Sequence, residues 1–170
     1  MRTGLIGLVA AGCAILGMAG CGSTSPTTTN TTTTAAATSA PANATPDVAQ
    51  LATAFAALNT TANSALSASS AQLQTATTVD KAKPLVGAAL NAYLAFDSGL
   101  QHLGLPASMS ADVTAQLYAD SQVEADYQNA LADTNLFQMQ TTLATVNQDS
   151  NAAGAATITL RRDLGLPPTS

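Results

Sequence analysis

Tryptophan is absent from this 170-residue chain, charged residues make up only 9%, and histidine occurs once. Each shortage closes off a class of function. Five Lys and Arg residues face ten Asp and Glu, for a formal net charge of −5. No basic patch is there to neutralise a phosphate backbone, so nucleic acid is not an expected partner. One histidine cannot supply the two Glu-x-x-His pairs of a di-metal helical site. Both cysteines, Cys13 and Cys21, lie near the N-terminus, which leaves the rest of the chain without a disulfide framework or a thiolate metal site. No serine nucleophile elbow, phosphate loop, zinc motif or Gly-rich dinucleotide turn is found. The expectation is therefore a non-catalytic protein with no cofactor, no metal and no catalytic residues.

What is there begins with a single Arg2, an apolar run softened by Gly and Ala over residues 5–16, and then small residues leading into a cysteine. That is the layout of a secretory signal peptide. The string Leu16-Gly17-Met18-Ala19-Gly20-Cys21 resembles the lipobox of bacterial lipoproteins. The resemblance implies cleavage before Cys21, lipidation of Cys21 and attachment to the extracytoplasmic face of the cell membrane. Ala11-Gly12-Cys13 is a competing site, but only about eight apolar or small residues precede it, near the lower limit of such a run. Residues 1–20 approach the length of an uncleaved span, yet they are Gly-rich and lack a basic flank on the far side.

Residues 22–46 are low in complexity, rich in Thr, Ala, Ser and Pro. Such a segment cannot bury enough apolar surface to offset its ordering entropy, and it is expected to be a disordered tether. As a loose coil it spans about 25–30 Å on average. Its composition resembles that of O-glycosylated stalks. The domain order expected is a signal peptide at 1–20, the lipidated cysteine and linker at 21–46, a helical domain at 47–166 and a short tail at 167–170.

From Pro46 the periodicity becomes helical. Pro46 or Thr45 is expected to start a first helix with Asp47 at its positive end. Its seam is Val48, Leu51, Phe55, Leu58, Ala62, Ala65, Ser69, Leu73 and Ala76. Asp80 is the expected cap of a second helix, with Pro84 in the first turn and a seam through Val86, Ala89, Leu90, Tyr93, Phe96, Leu100 and Leu103. Gly104 followed by Leu105-Pro106 is a helix stop. Ser110 or Ser108 is expected to cap a third helix with Val113, Leu117, Tyr127 and Leu131 on its apolar face. Asp133-Thr134-Asn135 breaks the chain before a fourth, which runs from Leu136 through Met139, Leu143, Val146, Ser150, Ala153, Thr157 and Leu160 to Leu164. Short connections between long helices predict an all-α fold, an antiparallel up-down-up-down four-helix bundle.

Lys83-Pro84-Leu85, Ala95-Phe96-Asp97 with Leu100, and Leu160-Arg161-Arg162-Asp163-Leu164-Gly165-Leu166-Pro167 are similar to stretches of a recurring kind of envelope lipoprotein from high-GC Gram-positive bacteria. That resemblance implies a helical envelope domain and assigns no activity.

One local anomaly remains. Asp120 and Glu124, one turn apart, project from the apolar face of the third helix. Antiparallel register places Tyr93 at their level, with Ser69, Asn147 and Ser150 at similar height. Asp120, Glu124 and Tyr93 are thus the candidate polar layer. The pattern fits a hydrogen-bonded layer, a helix rotated so that Val123 faces inward and the acids face water, a metal or small-ligand site, or an acid–base pair. His102, paired in imagination with Met109 or Met139 as a haem ligand, sits where a helix C-terminus attracts it anyway; Arg161 and Arg162 suit the last turn for the same reason. The function expected is a lipid-anchored helical module that meets an envelope protein or a small ligand, with a metal protein or enzyme built on the polar layer as the alternative.

Overall fold

A computed structural model of the chain describes residues 47–168. The expected signal peptide, Cys21 and linker lie outside the described residues. Four helices make up the fold: α1 (Val48–Leu73), α2 (Val79–His102), α3 (Ser110–Ala132) and α4 (Leu136–Asp163). No strand occurs among the described residues. Consecutive helices pack side by side, and α3 lies against both α2 and α4. None of the four is long and apolar enough to cross a membrane.

The helix ends follow local chemistry, with four corrections to the sequence reading. Asp47, rather than Pro46 or Thr45, caps α1, its carboxylate accepting from Ala49 N–H at 3.3 Å. Thr78, rather than Asp80, caps α2, accepting from Lys81 N–H at 3.4 Å. Asp80 falls in the first turn, where its charge complements the helix dipole. Because α2 starts at Val79, Pro84 is past the first turn, and its missing N–H leaves one bond of the helix unmade, to the Asp80 carbonyl. Neither Ser108 nor Ser110 caps α3. A 3-10 turn at Ala107–Met109 leads into it, with Met109 N–H bonded to the Pro106 carbonyl at 2.9 Å. Burial of the Met109 side chain fixes this entry in place of a polar cap.

Asn135 caps α4 as its sequence suggests. It accepts from Gln138 N–H at 2.9 Å while its side-chain amide donates to Gln138 Oε1 at 2.6 Å. Gly104 and Gly165 take φ of 66° and 70°, conformations that suit only glycine without strain. At Gly165 both bonds of a Schellman stop are made, Gly165 N–H to the Arg162 carbonyl and Leu166 N–H to that of Arg161.

The core is built from small and aliphatic side chains in two clusters. One joins Leu51, Ala52 and Phe55 of α1 to Phe96 and Leu100 of α2, Met109, and Leu160 and Leu164 from the end of α4. Phe55 and Phe96 meet edge to face, with ring centroids 6.1 Å apart. The other joins Ala82, Val86 and Ala89 of α2, Ala119, Val123, Tyr127 and Ala130 of α3, and Met139, Val146 and Ala153 of α4. On α4 the buried residues Met139, Val146, Ala153 and Leu160 recur every seventh position, the spacing that keeps one stripe against its neighbours. On α1, Val48 and Ala65 are exposed, while Asn59 is buried and Leu66 packs against the core. The aromatics are not all in the seams: Tyr118 and Phe137 are exposed.

Leu160→Ala should cost about 2–5 kcal/mol, because the residue is fully buried and the site cannot collapse without moving three helices. Ile158→Ala, at an exposed position of the same helix, should stay within about 0.5 kcal/mol. Urea unfolding of the two variants measures both.

Candidate functional site

The two apolar clusters are separated along the helices by polar side chains. On α3 the buried face is Gln116, Ala119, Asp120, Val123, Tyr127 and Ala130. The helix is turned from the expected orientation: Val123 is wholly buried, and Val113, Leu117 and Leu131 occupy partly buried margins. The reason is that α3 has partners on two sides, so its buried arc is wide and takes in both Val123 and Asp120. Of the three expected layer residues, Asp120 is 1% exposed, whereas Glu124 and Tyr93 are half-buried.

Asp120 is held from several sides. Gln116, one turn earlier and equally buried, donates from Nε2 to Asp120 Oδ2 at 2.8 Å. Thr157 of α4 donates from Oγ1 to Gln116 Oε1 at 2.9 Å. From α2, the Asp97 carboxyl lies close enough to that of Asp120 for the two to shift one another. The hydrogen bonds Asp120–Gln116–Thr157 thus join α3 to α4, with Asp97 of α2 nearby. Tyr93 extends the polar level to α4, its hydroxyl 3.5 Å from Ser150 Oγ, and its ring tilts against Tyr127 at 5.9 Å between centroids.

Two carboxylates near one another at a buried site disfavour double ionisation. Burial, followed by the hydrogen bond and charge of Asp120 and the charge of Glu124, pushes Asp97 up to about 8. Burial also raises Asp120, opposed by the hydrogen bonds from Gln116 and Asp97, which pull it down. Burial and the Asp120 charge raise Glu124 as well, whose Oε1 is buried without a hydrogen-bond partner.

Sequence reasoning found Asp120 and its neighbours but missed Asp97 and Gln116 as members of the layer, and took Thr157 only as a seam residue. Gln116 was findable from its four-residue spacing to Asp120. His102 is exposed, its Nδ1 2.6 Å from the Ser98 carbonyl. Met109 and Met139 are buried in different apolar clusters. Arg161 donates from Nε and Nη2 to the Pro167 carbonyl and ties the tail to the end of α4. Arg162 pairs with Asp163 at 3.2 Å on the surface.

A groove of about 710 Å³ runs between α1 and α2, lined mainly by Ala54, Leu58, Ala62, Ala92, Phe96 and Gly99 with His102 at one end. No carboxylate of the polar layer lines it. Among the described residues, no three His, Cys, Asp or Glu side chains gather so as to hold a metal ion. Compared with family models, curated proteins and solved structures, the chain matches none.

Asp120→Ala leaves the buried Gln116 amide without its acceptor and should destabilise the protein by about 1–3 kcal/mol. Asp120→Asn keeps an acceptor for Gln116 and offers N–H to Asp97, so its loss should be smaller. Chemical denaturation of both variants at neutral pH measures the contrast.

Proposed function

We propose that this chain is a lipid-anchored, non-catalytic envelope protein. Its helices form an antiparallel up-down-up-down bundle that a tether over residues 22–46 holds off the extracytoplasmic face of the cell membrane. The observation that carries this reading is the run from Arg2 to Leu16-Gly17-Met18-Ala19-Gly20-Cys21. The Cys21 lipid is its membrane partner, and the helical domain is an interaction module for an envelope protein or a small ligand. Short connections between α1, α2, α3 and α4, and side-by-side packing of consecutive helices, support the bundle topology. The binding role draws support from the apolar groove between α1 and α2.

A second reading makes the layer around Asp120 and Glu124 a metal or small-ligand site, or the acid–base machinery of an enzyme. Raised carboxyl groups beside one another favour it, since such shifts cluster where chemistry is done. Against it, Asp120 is enclosed and its contacts are supplied from within the helices.

Cys21→Ala should abolish lipid attachment and move the protein out of the detergent-extracted membrane fraction. Several acyl chains anchor firmly, at about 0.8 kcal/mol per buried CH₂, and nothing else in the proposed architecture replaces them. Lipid labelling and fractionation read the outcome; unchanged labelling in the variant contradicts the anchor. A divalent-metal rise in the wild-type melting temperature that Asp120→Asn with Glu124→Gln removes would favour the second reading.

A further inference from the structure

We infer that the groove between α1 and α2 binds one long-chain fatty acid, with its alkyl chain along the alanines and its carboxyl at His102. This rests on the reading of the domain as an interaction module and names its ligand. It does not depend on the Cys21 anchor.

Size sets the class of occupant. The lining runs from Ala54 to Ala65 on α1 and from Ala88 to Leu103 on α2, with His102 at one end. At the usual helical rise, the stretches 54–65 and 88–102 are about 17 Å and about 21 Å long. One membrane acyl chain spans half of a hydrocarbon core of about 30 Å, or about 15 Å, so a single extended chain fits within the groove. Its volume of about 710 Å³ is that of a small-ligand pocket. A protein partner fits less well. A stable interface takes about 800 Å² from each side and anchors on Trp, Tyr or Arg, none of which lines the groove.

The walls select the chemistry. Seven of the lining residues are alanines, and none is Asp, Glu, Lys or Arg. α1 carries no charged side chain over its whole length. The Thr61 hydroxyl donates to the Ala57 carbonyl of its own helix at 2.9 Å, and Asn91 is exposed. Gly99 has no Cβ, and one placed there would stand 2.5 Å from Leu58 Cδ2. The Leu58 side chain therefore lies directly over the α2 backbone and closes the groove floor. Such a surface gives CH₂ groups dispersion contacts and shelter from water, and it gives a charge no partner.

His102 is the one ionisable side chain of the lining. Its Nδ1 lies 2.6 Å from the Ser98 carbonyl, which can only accept, so Nδ1 carries a hydrogen and Nε2 is left for a ligand. A carboxyl at Nε2 forms a hydrogen bond with one proton between the two groups, whichever of them carries it. A diacyl phospholipid fits neither feature. Its second chain has no second slot, and its phosphate meets no Lys or Arg in the lining.

Photo-crosslinking of the full-length protein in phosphatidylcholine nanodiscs tests this, with palmitic acid carrying a mid-chain diazirine as the probe. Labels should map to residues 54–65 and 88–103, and excess unlabelled palmitic acid should suppress them. Ala95→Phe, at an exposed position of the groove wall, should remove the labelling, and Ala125→Phe, at an exposed position of α3, should leave it unchanged. His102→Ala should weaken labelling by the acid at least about threefold, the loss of one exposed hydrogen bond, and leave labelling by the methyl ester of the probe unchanged. Labels spread over all four helices, or groove labels that survive both Ala95→Phe and excess palmitic acid, overturn the inference. Groove labelling that appears only in Cys21→Ala assigns the groove to the chain's own lipid, and a dimer that Ala95→Phe breaks assigns it to a second copy; either result overturns it. Equal losses of acid and ester in His102→Ala overturn the placement of the carboxyl. Groove labelling in both wild type and Cys21→Ala supports the inference whatever becomes of the anchor. Its absence from both overturns the inference and leaves the domain as a module for a protein.

Discussion

A carboxylate buried as deeply as Asp120 has to be compensated, and its compensation comes from three helices. Gln116 donates from the same helix, Thr157 of α4 fixes Gln116, and Asp97 of α2 lies nearby with its carboxyl pushed up to about 8. The Gln116 bond lies within α3, while the Thr157 contact ties the layer to the register of α4. Apolar side chains of similar volume would serve stability as well or better, since taking charge out of water costs several kcal/mol even when it is paired. The layer is best understood as a device for alignment. Shifting α4 by one turn would remove the Thr157 donor from the buried Gln116 Oε1.

That device matters because the rest of the core specifies little. Its buried residues include Ala52, Ala82, Ala89, Ala92, Ala119, Ala130 and Ala153. Small side chains let helices approach closely but interdigitate weakly. α1 has no charge to bias its orientation and packs chiefly on α2. Two large interlocking points help at one end, the Phe55–Phe96 edge-to-face pair and the fully buried Leu160. Elsewhere the polar layer divides the apolar clusters and sets where one stops and the other starts. The outer side of α1 and α2 then remains lined by alanines, as the groove between them.

Much of the local structure was legible from the sequence. The α4 cap at Asn135, its seven-residue repeat and its stop at Gly165 all follow from short-range chemistry and one apolar stripe. So did the seam of α2 through Val86, Phe96 and Leu100. The caps at Asp47 and Thr78 were displaced because several residues in each stretch can cap, and backbone geometry chooses among them. The face of α3 was misjudged for a different reason. A helical wheel assumes one buried stripe, whereas α3 is covered from two sides, so Gln116 and Val123 join the interior with Asp120. Asp97 was invisible as a partner because its significance depends on the register of α2 against α3. No pattern within α2 announces that.

The anchor expected at Cys21 and the polar layer answer separate questions, one about where the chain resides and the other about how its domain is held in register. The most displaced titration in the layer is that of the Asp97 carboxyl, which burial and the neighbouring Asp120 push up to about 8. Carbon-13 NMR titration of the aspartate carboxyls in the full-length protein reads that titration directly. The Asp97 carboxyl should remain protonated through neutral pH and titrate near about 8, and the Asp120 carboxyl should titrate above the ordinary aspartate value. Titration of both carboxyls at ordinary aspartate values, with no change in either above neutral pH, would contradict it.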